Sequence, residues 1–160
     1  MLQHIIICAG DAVEDDLRGE EYDDFVAWFA ALPVKWKIFI PGNHELSFEL
    51  GYGDAIVQMM LDNGITILQN SIIDCDGVVI GSIDSNAVIA REDIPTNLDI
   101  LVTHCPPYGV LDNGMGSAEI LHFIMHSQPL YHLFGHIHST AGQEVSFGNT
   151  YCRNIACVVG

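Results

Sequence analysis

Gly135-His136-Ile137-His138 sets two imidazoles two residues apart, directly after the apolar run Leu130-Tyr131-His132-Leu133-Phe134. An apolar run of that length bounded by glycine reads as a buried strand entering a turn, so both imidazoles leave a rigid strand end. The pattern is echoed earlier in Ile5-Ile6-Ile7-Cys8-Ala9-Gly10-Asp11, in Ile38-Phe39-Ile40-Pro41-Gly42-Asn43-His44-Glu45, and in Ile100-Leu101-Val102-Thr103-His104. Open α/β sheets gather function beyond the carboxyl ends of their strands, which makes Asp11, Asn43, His104, His136 and His138 one candidate site. A mixed oxygen and nitrogen donor set suits Mn, Fe or Zn better than the all-oxygen shells of Ca and Mg. A histidine outside any such pattern is ordinarily structural, and His4, His122, His126 and His132 are read that way. Cys105 beside His104 invites a thiol-nucleophile reading, against which stands a small, half-buried packing role; packing is the expectation.

The elements that must position these residues follow from periodicity. Strand-like runs recur at 4–8, 36–40, 65–68, 71–74, 78–83, 98–102, 130–134, 143–147 and 150–158. Helical patterns fall at about 20–32, with Phe25, Trp28, Phe29 and Leu32 on one face, and at about 53–62 and 117–126. The runs ending at Asp11, Asn43 and His104 show little alternation, as expected of strands covered on both faces. Asp76-Gly77 and Gly148-Asn149 are hairpin signals. The expected architecture is α/β or α+β, with two packed sheets flanked by helices in a single domain over residues 1–160.

Composition narrows the partners. The chain has 49% hydrophobic and 16% charged residues, a globular balance. Its net charge is −16, with 21 acidic residues against Arg18, Lys35, Lys37, Arg91 and Arg153. Nucleic-acid polymers and anionic membranes would be repelled, and most of the carboxylates read as a solvated surface. A phosphate substrate would need its charge neutralised mainly by bound metal. No apolar run approaches the roughly 20 residues of a membrane span. Cys8, Cys75, Cys105, Cys152 and Cys157 are odd in number and lack a CxxC, and the start of the chain lacks a signal-peptide pattern. Both features suggest a reduced, cytoplasmic protein.

AGD at 9–11, GNHE at 42–45, THCPPYGVLD at 103–112 and FGHIH at 134–138 resemble, in order and spacing, the calcineurin-like metallophosphoesterases. LP at 32–33, KIFIPGNHEL at 37–46 and THCPPYG at 103–109 look most like the small metallophosphoesterase-domain-containing subgroup. The resemblance implies a two-sheet sandwich flanked by helices and metal-assisted hydrolysis of a small phosphodiester such as a cyclic nucleotide. It also implies that Asp11 bridges two metals, that Asn43, His104 and His136 complete the shell of the second, and that His138 ligates the first. His44 would face substrate, steadying phosphoryl oxygens or protonating the leaving group. Glu45 and Asn154 are candidates for orienting the ligands, with a strand hydrogen bond as the alternative for Asn154, and Asp112 is read as turn-forming.

One part of the family pattern is absent from these residues. The family opens with a strand carrying Asp-x-His, which ligates the first metal; no such motif stands before Asp11, and His4 lies at the start of its strand rather than beyond the carboxyl end. The expectation is therefore a domain shortened at its N-terminus and lacking the family's first strand. It would hold one tightly bound ion at Asp11, Asn43, His104 and His136, with a second site left incomplete at Asp11 and His138. An unpaired strand edge would favour a homo-oligomer. The competing reading, from a different class, is a catalytically impaired metal-binding remnant that serves as a binding or assembly module.

Overall fold

The computed structural model describes residues 4–12, 22–42 and 53–157, which fall into two compact units, Met1–Leu68 and Gln69–Gly160. In the first unit β1 (Ile5–Cys8), β2 (Trp36–Phe39) and β3 (Ile65–Ile67) pair in parallel in that order. Parallel neighbours need crossover connections. Here α1 (Tyr22–Ala30) lies between β1 and β2, and α2 (Gly53–Asp62) between β2 and β3. Tyr22, Val26 and Phe29, at helical spacing on α1, pack with Phe39, Ile56, Met60 and Ile65 into one apolar cluster.

Two details of this unit differ from expectation. Trp28 is 60% exposed, because the α1 stripe runs through Tyr22, Val26 and Phe29 and leaves Trp28 on the flank. The four residues of β1 are each half-buried, whereas β2 ends in fully buried Ile38 and Phe39. Among the described residues β1 stands at one end of the three-stranded order.

The second unit holds a six-stranded sheet. Its members are β4 (Ser71–Cys75), β5 (Val78–Ser82), β6 (Ile100–Thr103), β7 (Tyr131–Phe134), β8 (Glu144–Phe147) and β9 (Thr150–Asn154), in the order β4-β5-β6-β7-β9-β8. β4 and β5 form the expected hairpin; Asp76 and Gly77 both take positive φ, 55° and 94°, and the Gly77 amide donates to Asp74 Oδ1 at 2.6 Å. β8 and β9 form the other, across Gly148-Asn149. The last strand ends at Asn154, short of the predicted run. Helix α3 (Ala118–Ser127) begins at Ser117, whose hydroxyl accepts from the Ile120 amide at 3.2 Å, and buries Ile120, Phe123 and Ile124 against Leu98 and Leu101. Among the described residues no helix is long and apolar enough to cross a membrane.

The parallel pair at the centre of this sheet sets the geometry beyond it. Leu101 stands opposite His132 and Thr103 opposite Phe134. His132 is fully buried, with Nε2 2.8 Å from Thr103 Oγ1, and the Thr103 hydroxyl donates to the Cys105 carbonyl at 2.6 Å. A hydroxyl carries one proton, so its oxygen must accept from His132 Nε2–H, which assigns the tautomer. His132 Nδ1 has no hydrogen-bond partner, and protonating it would bury an unpaired charge. Burial accordingly pushes this imidazole down to about 3 from its ordinary 6.5.

A stability profile follows. The unfolded chain takes up this proton near the ordinary histidine value, while the folded chain resists until about pH 3. The contribution of His132 is therefore complete above the unfolded value and lost as pH falls through the window below it, at up to about 1.4 kcal/mol per pH unit. Thermal denaturation of wild type and of His132→Gln across that window should show a flatter acid limb in the variant. Equal slopes would mean that His132 is not held neutral.

Candidate metal centre

The β6–β7 register delivers two imidazoles to one place. Thr103 and Phe134 are the last paired residues, and the Gly135 amide extends the ladder by donating to the His104 carbonyl at 2.8 Å. His104 Nε2 and His136 Nδ1 then lie 3.2 Å apart, with His104 buried and His136 half-buried. That is hydrogen-bond distance, and it is also close to the about 3.3–3.4 Å between nitrogens each about 2.0–2.1 Å from one tetrahedral zinc, so the pair could serve one ion. The Cys105 Sγ completes a group of three possible ligand atoms, all within 4.8 Å of one another.

Polar contacts pin both loops. His136 has φ 67°, left-handed backbone that a non-glycine residue adopts at a cost and that persists when surroundings enforce it. The enforcement comes from fully buried Asn154 on β9: its Nδ2 donates to the Ile137 carbonyl at 2.7 Å and to Thr140 Oγ1 at 2.8 Å. Thr140 Oγ1 in turn donates to the Leu111 carbonyl at 2.7 Å, and Asn154 Oδ1 accepts from the Ala156 amide at 2.9 Å. In the loop after His104, the Asp112 carboxylate accepts from the amides of Gly109, Gly116 and Gly114 at 2.8, 3.0 and 3.2 Å. Those bonds, that from Gly109 foremost, hold its carboxyl below the usual carboxylate range. A Cβ at Gly116 would run into the Pro107 carbonyl and lie 2.7 Å from Asp112 Oδ2, so this turn requires glycine.

The remaining candidates are placed as follows. Asp11 is half-buried beyond the end of β1 in the first unit, with φ 56° after Gly10 at φ 95°. His138 is exposed, opens a short 3-10 turn over His138–Thr140, and is not a member of the group of three. Asn43, His44 and Glu45 lie outside the described residues. Asn154 sits in β9 and bonds the backbone between the two histidines of the 135–138 segment, so it combines the strand role with contact to the loop. For Cys105, where packing is the expectation, the structure sets the sulfur beside both imidazoles; adjacency to His104 is the one sign of this in the sequence.

Each unit combines a sheet with helices, and the second places two strand-end imidazoles 3.2 Å apart. The chain belongs to the calcineurin-like phosphoesterase family, whose model matches residues 3–140; the family binds divalent metals and hydrolyses phosphoesters. It is similar to human metallophosphoesterase domain-containing protein 1, at 31% identity over 97% of this chain and 60% of that protein. It is also similar to a UPF0046 protein of Caenorhabditis elegans, at 30% identity over 95% of this chain and 62% of that one. The chain thus spans about three fifths of the length of these relatives. The crystal structure of TT1561 of Thermus thermophilus shares the fold, with a TM-score of 0.66 at 15% identity over 94% of this chain and 74% of that one.

Asn154→Ala removes the clamp on the His136 loop and leaves the buried Ile137 carbonyl without that donor. The expected cost is about 1–3 kcal/mol of stability, together with a loss of about 10–100-fold in metal affinity. Denaturant unfolding and a competitive zinc titration measure the two. A folded variant with unchanged affinity would show that the loop holds its shape unaided.

Proposed function

We propose that this chain hydrolyses phosphoesters, taking a small phosphodiester such as a cyclic nucleotide, with one divalent transition metal (Mn, Fe or Zn) at His104 and His136. The 3.2 Å separation of His104 Nε2 and His136 Nδ1 carries the reading. The family pattern assigns oxygen ligands to the positions of Asp11 and Asn43 in the sequence. The bound ion would supply Lewis-acid activation of water and neutralise charge on the phosphoryl oxygens. With five Lys and Arg against 21 Asp and Glu, the side chains have little cationic charge of their own for that task.

The chain's residues divide the rest of the work. His104 and His136 stand in loops fixed by the Thr103 hydroxyl and the Asn154 amide, so the backbone needs little reorganisation on binding. His44 follows Asn43 in the sequence and would act on substrate, donating a hydrogen bond to a phosphoryl oxygen or a proton to the leaving oxygen. Within these residues Asp11 and His138 are the positions the family pattern assigns to a further ion, fewer than the three protein ligands usual at a catalytic zinc. The second reading is a metal-binding module without turnover.

Metal-free protein reloaded with manganese should hydrolyse bis(p-nitrophenyl) phosphate, and His44→Ala should lower kcat about 10²–10⁴-fold. His104→Ala should lose both metal and turnover. Metal retained without hydrolysis would favour the binding module, and two tightly held equivalents would refute the single-ion reading.

A further inference from the structure

We propose that Cys105 is a further protein ligand, giving the ion at His104 and His136 a thiolate, so that Gln69–Gly160 contributes two histidines and one cysteine. The inference rests on the reading that His104 and His136 share a metal, and it specifies the class of ion they hold.

Geometry supports it. The Cys105 sulfur and the two imidazole nitrogens lie within 4.8 Å of one another. With metal–sulfur and metal–nitrogen bonds of about 2.3 and 2.0–2.1 Å, sulfur and nitrogen stand about 3.6 Å apart at a tetrahedral centre. The remaining gap is no more than about 1.2 Å, within the reach of a rotation about the Cα–Cβ bond of a side chain with a single heavy-atom torsion. The backbone that aims this side chain is already fixed, because the Cys105 carbonyl accepts the Thr103 hydroxyl at 2.6 Å and Thr103 is braced by His132. Cys105 is half-buried and lines a cleft of about 330 Å³ with Ser85, Asn86, Met115 and Ser117.

The other cysteines of this unit are placed differently. Cys75 and Cys152 are buried, and burial pushes both thiols up, Cys152 to about 11. Cys157 is exposed and is not a member of the group. Ligation by Cys105 breaks its S–H bond, forms a sulfur–metal bond and releases the proton to solvent. A soft thiolate favours zinc or iron over manganese, whose preference is for oxygen donors.

The test is cobalt(II) titrated into the reduced, metal-free full chain under argon. Wild type should develop both visible d–d absorption and a near-ultraviolet thiolate-to-cobalt charge-transfer band. Cys105→Ser and Cys105→Ala, checked for folding by circular dichroism, should keep the visible absorption and lose the band; zinc affinity should fall more than manganese affinity. Cobalt bound by wild type without the band, or a band that survives both substitutions, would overturn the proposal. Failure of the underlying reading looks different: visible absorption unchanged in His104→Ala and His136→Ala would put the ion elsewhere.

Discussion

The parallel register between β6 and β7 is the constraint on which the centre depends. Thr103 opposite Phe134 makes His104 the first residue past one strand and His136 the second past the other, and the Gly135–His104 backbone bond closes the end of the ladder. A slip of one residue would move one imidazole by about 3.3 Å and turn its strand inside out. The apolar residues at 101, 102 and 134 forbid that slip because they are fully buried. Hydrophobic packing of the strands thereby becomes positional accuracy for two polar side chains beyond them.

Around that register the second unit secures the loops that carry the site. One chain of bonds runs from His132 through Thr103 to the Cys105 carbonyl, and another from Asn154 to Ile137, Thr140 and Leu111. Both start on buried strand residues and end on loop backbone, so the loops inherit the rigidity of the sheet. Low surrounding dielectric strengthens each bond and raises the cost of leaving any partner unmade. The left-handed His136 backbone is tolerable in this setting, since releasing it would break the bonds around it.

The charge balance gives the centre its importance. A chain with 21 acidic residues repels phosphate, and five cationic side chains do not offset that repulsion. An ion gathered by His104, His136 and Cys105 would be a concentrated positive charge at a strand end, where a phosphate could be held.

Much of the fold was legible because it follows local periodicity. The nine strands and three helices of the described residues match the runs read from the sequence to within a few positions. One miss has a tertiary cause: Trp28 shares the helical period of its neighbours but lies beyond the width of the buried stripe. Residue types and their spacing were enough for the motifs, for the strand-end placement of His104 and His136, and for the family, since these are written along the chain. Three features needed the folded contacts: the Asn154 clamp on the loop between the two histidines, the neutral His132 brace, and the turn of the Cys105 sulfur toward the imidazoles. Each depends on a contact between residues far apart in sequence, or on a torsion at a turn, and neither leaves a period in the chain.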